Sequence, residues 1–300
     1  MTPLKRFFRS AVFASLRFSG LPFVIREIWQ RNKVTIVVYH ALDAARADVH
    51  FAALRGRYNV MSLSDFLAAR SSQPTECLPP KALIITVDDG HRSNYGLTSA
   101  IQRHRIPITI FLCSGIVGTN RHYWWLHTNN SGEAQALKAL PDEQRIQALL
   151  RKGHADRREY ETRQSLSRDE IAEMKFAVDF QSHTVFHPIL PACSIERARW
   201  EVVESKEALE REYGLKIYAL AYPNGDYSDR EVGLLQDAGY TCGLTSDAGF
   251  NDSATDPFRL RRVTLLDDAG VNEVIVKTSG LWALLKAFGS KSTHPRRHSP

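Results

Sequence analysis

The stretch Ile84-Ile85-Thr86-Val87-Asp88-Asp89-Gly90 places two adjacent carboxylates and a glycine directly after an apolar run. An unbroken run of aliphatic and β-branched residues is typical of a strand that is covered on both faces of a parallel sheet. Two acidic side chains at the end of such a strand are expensive to bury and therefore contribute little to a core. The stretch indicates a parallel sheet with a polar site at the carboxyl end of this strand.

Other apolar runs of the same kind recur along the chain and alternate with helical segments. The predicted strands cover residues 34–39, 82–87, 108–113, 177–181, 217–221, 240–244 and 260–265. The predicted helices include residues 94–104, 167–175, 195–213 and 228–238. Several of these helices begin at Ser or Asp and end before Gly, as helices commonly do. Repeated strand–helix alternation predicts an α/β chain that forms a βα-type barrel or an open parallel sheet.

One insertion interrupts this alternation. Residues 119–165 contain the aromatic cluster Tyr123-Trp124-Trp125 and then a polar helical run. We expect them to cover one edge of the sheet and to form part of a substrate groove. The two tryptophans either stack on sugar faces or anchor the insertion, and anchoring is favoured for at least one of them. The remaining organisation is one domain over residues 34–288 and a disordered basic tail over residues 289–300.

The formal net charge of +6 is concentrated at the N-terminus, where residues 1–33 contain seven basic residues and the single acid Glu27. The rest of the chain is neutral overall, which argues against nucleic-acid binding by the folded body. No apolar run approaches the ~18 residues of a transmembrane helix. We expect a membrane-interfacial helix, the alternatives being an unstructured tail or an atypical export signal. The side chains expected to insert are Phe7, Phe8, Val12, Phe13 and Leu16.

The four cysteines are widely scattered and form no CxxC pair. Buried free thiols in a reducing compartment are therefore expected at Cys77, Cys113, Cys193 and Cys242. With the basic N-terminal segment, this favours the cytoplasm of a bacterial cell, with peripheral contact at the inner face of the membrane.

A second polar signal, Ser182-His183-Thr184-Val185-Phe186-His187-Pro188, follows the predicted strand 177–181. Two imidazoles four residues apart can converge on one cation if the segment forms a helical turn. Combined with the acidic pair, they supply three metal ligands and one spare carboxylate. One Asp and two His leave open positions on a divalent ion, as a catalytic site requires, and the spare Asp can accept a proton from water.

At these residues the chain resembles the polysaccharide deacetylases of the NodB homology type, carbohydrate esterase family 4. Thr86-Val87-Asp88-Asp89-Gly90 is similar to their TFDDG motif, and the histidine segment 182–188 is similar to their HSxxH motif. Ala221-Tyr222-Pro223-Asn224-Gly225 resembles their third motif. Tyr39-His40 and the Tyr123-Trp124-Trp125 cluster resemble a branch of xylanase and chitin deacetylases. The resemblance implies a distorted (β/α)7-type barrel.

The resemblance also implies roles for individual residues. Asp88 is the implied general base, and Asp89, His183 and His187 are the implied ligands of a divalent ion, zinc with cobalt as a substitute. A backbone N–H in the third motif, that of Asn224, is expected to donate to the oxyanion that forms during acyl transfer. The implied substrate is an N-acetylated glycan or a lipid-linked saccharide.

The chain departs from the family pattern at the start of the third motif. Ala221 stands where the family often has an arginine that orients the catalytic aspartate. If another arginine replaces it, Arg262 on the last predicted strand is the first candidate.

The late Leu-x-His motif, which supplies the general acid in many members, is missing. After His187 the only histidines are His294 and His298, both in the predicted tail. His40 is the first candidate for a substitute acid, and His91 is the second. The alternatives are a structural hydrogen bond for His40 at the barrel rim and a solvated position for His91 at a helix start.

The sequence therefore predicts a metal-dependent carbohydrate N-deacetylase, of a kind used in exopolysaccharide biosynthesis. The two departures leave open a catalytically impaired protein that binds or scaffolds glycans. A deformylase or another amide hydrolase is a third interpretation, because the fold does not determine the acyl group.

Overall fold

The computed structural model describes residues 3–71 and 78–289. Its strands are β1 (Val34–Tyr39), β2 (Asn59–Val60), β3 (Ala82–Val87), β4 (Ile108–Leu112), β5 (Val178–Ser182), β6 (Ala219–Ala221), β7 (Cys242–Leu244) and β8 (Val263–Thr264). They form one sheet in the order β7-β6-β5-β4-β3-β1-β8, with β2 paired to the start of β3. The pairings between these strands are parallel. The predicted α/β class and distorted barrel are confirmed.

Helices separate most of the strands along the chain. They are α1 (Pro3–Phe18), α2 (Leu21–Val24), α3 (Ala44–Arg55), α4 (Leu63–Ser71), α5 (Thr98–His104), α6 (Ser131–Lys138), α7 (Asp142–Arg151), α8 (Arg168–Met174), α9 (Ile195–Tyr213), α10 (Asp229–Asp237), α11 (Val271–Thr278) and α12 (Leu281–Gly289). α2 continues into a π-helical turn, Ile25–Trp29. Capping boxes at Ser167 and Ser228 fix the starts of α8 and α10, where the sequence predicts helices to begin.

Side chains along β3 point alternately into two apolar clusters, and the same alternation points the side chain of Asp88 into the barrel. Leu83, Ile85 and Val87 pack against the outer helices, whereas Ala82 and Ile84 belong to an apolar cluster inside the barrel. Because side chains alternate across a strand, the inward face of β3 continues beyond its last residues to Asp88. The acidic pair therefore lies at the carboxyl mouth of the barrel.

Residues 260–264 close the barrel, because this segment pairs first with one edge strand of the sheet and then with a strand near the other edge. Leu260 forms a bridge to Leu244 at the end of β7, with a 3.0 Å hydrogen bond from its N–H to the carbonyl of Gly243. Three residues later the chain pairs with β1 instead, through Val263–Thr264. The predicted strand over 260–265 is therefore too long, because this segment crosses from one sheet edge to the other.

The N-terminal helix α1 lies against the body of the protein. Phe13 is 4% exposed and packs in one cluster with Val276 and Leu281, and Leu16 is packed against the same cluster. The prediction that Phe13 inserts into a membrane is therefore wrong, since its side chain is buried within the protein. Phe7, Phe8 and Val12, in contrast, are exposed.

Three cysteines are buried free thiols, as predicted: Cys113, Cys193 and Cys242. Cys77, His294 and His298 lie outside the described residues, as does the predicted tail beyond Gly289.

Candidate active site

Every predicted site residue except Arg262 lies within five residues after the end of a strand. Since the strands are parallel, their carboxyl ends meet at one mouth of the barrel. His40 follows β1, Asp88 and Asp89 follow β3, the two histidines follow β5, and Asn224 follows β6 by three residues. The fold therefore brings together residues from distant parts of the sequence.

Asp88 is held by a two-pronged ion pair with Arg262. The guanidinium Nη1 and Nη2 atoms lie 2.8 Å from Oδ1 and Oδ2, respectively, and Nε donates to the carbonyl of Thr245. Both side chains are buried. Burial opposes ionisation, but the charge and hydrogen bonds of Arg262, together with the charge of His183, outweigh it and lower the pKa of Asp88. The structure thus places Arg262 on the aspartate that the sequence assigned to it.

Asp89 points to different neighbours because the backbone turns sharply at this position. Asp89 and Gly90 have φ values of 74° and 72°, in the left-handed region. A Cβ atom on Gly90 would lie 2.6 Å from Cδ2 of Leu112, so only glycine fits there. The turn separates the two carboxylates, with Asp88 on Arg262 and Asp89 among the histidines.

The histidine segment is an irregular loop, so the helical turn considered from the sequence is not what brings the two imidazoles together. Thr184 and His187 have φ values of 66° and 54°. A carboxylate oxygen of Glu201, on α9, accepts hydrogen bonds from the backbone N–H groups of Val185 (2.7 Å) and Phe186 (2.9 Å). Glu201 thereby supplies the acceptor that helix carbonyls would otherwise provide, and the loop can bring the imidazoles together without helical geometry.

The two imidazoles converge on Asp89. His183 Nε2 and His187 Nε2 lie 3.4 Å and 3.6 Å from Asp89 Oδ1. His183 Nδ1 donates to the carbonyl of Ala221 at 2.7 Å, which turns Nε2 toward the carboxylate. Burial alone would lower the pKa of His183, but the carboxylates of Asp88 and Asp89 raise it. Burial, reinforced by His183, lowers the pKa of His187 to about 3, so its ring is neutral at physiological pH.

Asp89, His183 and His187 fit a divalent ion. Their ligand atoms lie within 4.8 Å of one another, and all three residues are buried. His183 and His91 lower the pKa of Asp89 well below its usual value despite burial. Within residues 3–71 and 78–289, nothing donates a hydrogen bond to Asp89 Oδ1. A buried anionic oxygen without a donor, beside two imidazoles, matches the nitrogen and oxygen ligands of a three-residue zinc or cobalt site.

The second carboxylate oxygen of Asp89 is held by His91. His91 Nε2 lies 3.1 Å from Oδ2, and the ring packs against Tyr123 with centroids 4.7 Å apart. The Tyr123 hydroxyl donates to the backbone carbonyl of Asp89 at 2.9 Å. The solvated alternative for His91 is therefore wrong, because this residue orients Asp89. The sequence indicated an aromatic cluster at Tyr123 but not this contact.

A cavity of about 510 Å³ lies over these residues and is completed by the insertion. Trp125 lines it and meets the His187 ring edge-on, with centroids 4.6 Å apart. Trp124 is buried and donates from Nε1 to the carbonyl of His187 at 3.0 Å, so it is the anchoring tryptophan. The other lining residues are His40, Ala41, Asp88, Asp89, His91, Thr128, Ser131, Ala134, Lys138, His183, His187, Asn224, Ser246 and Asp267.

Asp267 is a cavity residue that the sequence interpretation missed. Its Oδ1 accepts a hydrogen bond from the backbone N–H of His40 at 3.1 Å, and Asn94 donates to the His40 carbonyl at 2.8 Å. The backbone of His40 is thus fixed at the cavity rim. Asp267 and Asp268 form an acidic pair shortly after β8, and the same signal that identified Asp88 and Asp89 could have found it.

The model of the family described as polysaccharide deacetylase matches residues 75–243, more than half of the chain. The chain belongs to the polysaccharide deacetylase family. The Bacillus subtilis protein YxkH, which carries the family's name, is 18% identical over 244 residues, covering 77% of this chain and 71% of YxkH.

Two solved structures share the fold. The Streptococcus pyogenes deacetylase PplD, in complex with acetate, is 19% identical with a TM-score of 0.61, covering 83% of this chain and 99% of PplD. IcaB from Ammonifex degensii is 20% identical with a TM-score of 0.61, covering 83% of this chain and 98% of IcaB.

Two of the predicted site residues lie outside the residues that the family model matches. The match contains the acidic pair, both loop histidines and the Asn224 turn, but neither His40 nor Arg262. The guanidinium that contacts Asp88 belongs to a residue just before β8, in the segment that crosses between the two sheet edges. Ala221, at the position where the family often has an arginine, contributes its backbone carbonyl to the site, as the acceptor of a hydrogen bond from His183.

Glu201→Ala is expected to weaken zinc binding about 10–100-fold, because its loss frees the loop that carries two ligands. Glu201→Gln keeps an acceptor for both N–H groups and should lose less. The measurement is zinc titration by calorimetry. The control is Glu204→Ala, which removes a surface carboxylate from the same helix, paired with Arg211 at 3.2 Å. Wild-type affinity in Glu201→Ala would show that the carboxylate does not position the loop.

Proposed function

We propose that this deacetylase is a metal-dependent hydrolase that removes N-acetyl groups from amino sugars in a glycan. The observation that carries the proposal is the separation of the acidic pair: Asp88 is an ionised carboxylate held by Arg262, and Asp89 joins His183 and His187 in a cation cradle. When bound there, zinc would supply Lewis-acid polarisation of the acetyl carbonyl and acidify a water molecule.

Asp88 is the proposed general base. It is ionised at neutral pH, it lines the cavity, and the contact with Arg262 fixes the direction of its oxygens. It would accept the proton of the attacking water. The backbone N–H of Asn224 would donate to the oxyanion that develops on the substrate, since Asn224 lines the same cavity in a tight turn with a φ of 56°.

His40 is the proposed donor of the proton that the leaving amine requires. Its backbone is fixed by Asp267 and Asn94, and its side chain lies in the same cavity as Asp88. The competing candidate, His91, is held by Asp89 Oδ2 through its Nε2 atom. That contact favours an orienting role for His91 and leaves His40 as the better acid.

The cavity supports a sugar substrate. Trp125 offers an aromatic face beside His187, and aromatic rings suit the apolar faces of pyranoses. Most of the other residues that line the cavity are polar. The fold neighbour PplD is described in complex with acetate, which is the product expected here. We propose an N-acetylated amino sugar within a polysaccharide, a glycolipid or a lipid-linked precursor.

The test is release of acetate from N-acetylated oligosaccharides and lipid-linked N-acetyl sugars by the purified, zinc-loaded protein, with the matching N-formyl sugars in parallel. We expect acetate release, and formate release that is slower. Faster formate release would favour a deformylase. Saccharide binding without release of either acid, across the whole panel, would favour the glycan-binding interpretation.

A further inference from the structure

The first helix exposes an apolar face to solvent. Ten of the eighteen exposed large apolar side chains in the described residues lie between Leu4 and Trp29. In α1 they are Leu4, Phe7, Phe8, Val12 and Phe18, each 48–76% exposed. At about 100° per residue, these positions and Ala11 and Ser15 share one side of the helix, and no charged residue lies among them. A helix on a soluble domain normally turns such a face toward the core.

The opposite side of α1 is already occupied by the body of the protein. Phe13 is buried against Val276 and Leu281. Arg9 pairs with Glu273 at 2.6 Å and with Asp268 at 3.0 Å. These contacts hold α1 flat on the body, so its apolar face cannot turn inward without breaking them.

The next segment extends the exposed face. Leu21, Phe23, Val24, Ile28 and Trp29 are also 48–76% exposed. No single helix in the described residues is long and apolar enough to cross a membrane, but Leu4–Phe18 and Leu21–Trp29, bent by 59°, pass that test as a pair. The packing of Phe13 and the ion pairs of Arg9 favour a helix pair lying along a surface over one that spans it.

The charge around this face identifies what can cover it. Residues 3–33 contain seven basic residues and one acid, and Lys5, Arg6 and Arg31 are exposed. A second copy docked on the same face would bring equal positive charges together. An anionic lipid surface would attract the cations while the phenylalanines enter its interface.

We propose that Leu4–Phe18 and Leu21–Trp29 form a docking surface for an anionic lipid bilayer. This surface is linked by contacts to the rim of the candidate active site. Arg9 of α1 forms an ion pair with Asp268. The adjacent Asp267 lines the cavity and accepts a hydrogen bond from the backbone N–H of His40. The proposal stands on the exposed face and its charge and does not depend on the proposed reaction.

The test is flotation of the full chain with vesicles of phosphatidylglycerol and phosphatidylcholine, compared with pure phosphatidylcholine. Wild type is expected to float with the anionic vesicles and to be released by high salt. Phe7→Asp/Phe8→Asp should lower the partition coefficient at least about tenfold. The matched control is Phe176→Asp, which changes an 88% exposed phenylalanine outside the docking surface and should bind as wild type does.

Three results would overturn the proposal. Unchanged flotation of Phe7→Asp/Phe8→Asp would exclude the apolar face. A wild-type dimer in solution that this variant converts to monomers, with no vesicle binding, would assign the face to self-association. Wild type that resists extraction from the vesicles by alkaline carbonate would indicate a spanning pair. Near-ultraviolet circular dichroism checks that each variant is folded, and none of these readouts requires catalysis.

Discussion

Asp88→Asn is expected to release acetate about 10²–10⁴-fold more slowly than wild type, the usual contribution of a positioned general base. Asparagine has nearly the same shape as aspartate but cannot accept a proton from water. Asp89, His183 and His187 are unchanged in this variant, so zinc affinity should stay close to that of wild type. Initial rates of acetate release and calorimetric zinc titration on the same preparation measure the two effects.

Asp267→Asn is the matched control, since Asp267 is a second carboxylate of the same cavity but contacts the backbone of His40. The amide oxygen can still accept that hydrogen bond, so activity should stay within about tenfold of wild type. Loss of zinc binding in Asp88→Asn, or wild-type rates, would contradict the assignment of Asp88 as the base.

Arg262→Met is expected to destabilise the protein by about 3–5 kcal/mol, because it leaves the charge of Asp88 buried without a partner. Asp88→Asn/Arg262→Met removes both charges and should recover part of this loss. Urea denaturation of wild type, the two single variants and the double variant gives the coupling free energy. Strictly additive effects would show that the ion pair does not stabilise the buried carboxylate.

The activity of Arg262→Met provides a second readout of the same contact. Arg262 makes the largest contribution to lowering the pKa of Asp88 against the effect of burial. Without it the pKa rises, so the base is protonated at a higher pH. The acidic limb of the pH–rate profile should therefore move toward neutral pH in Arg262→Met. An unshifted limb would mean that Arg262 does not control the ionisation of the base.

The fold and the cation cradle could be predicted because their signals are local. Unbroken apolar runs mark the strands, and strand ends in a parallel sheet share one mouth, so Asp89, His183 and His187 could be grouped from sequence alone. Arg262 could be predicted because the family often has an arginine at the position of Ala221. Another arginine was therefore expected to orient the catalytic aspartate. The length of the last strand could not, since its partners change between Leu260 and Val263.

The contacts that shape the site could not be predicted, because they depend on tertiary packing. Glu201 lies within a long amphipathic helix, and nothing in its spacing shows that its carboxylate reaches the histidine loop. His91 could be read as a helix-start residue until its contact with Asp89 was known. The amphipathic pattern of α1 indicated an interfacial helix but not that Phe13 faces the body.

Metal dependence of the proposed reaction is tested by measuring acetate release by metal-stripped protein as zinc is added. We expect the stripped protein to be inactive, activity to rise linearly to one zinc per chain, and His187→Ala to stay inactive at the same zinc concentration. Full activity in the stripped protein, or full activity in both Asp89→Ala and His183→Ala, would contradict metal dependence.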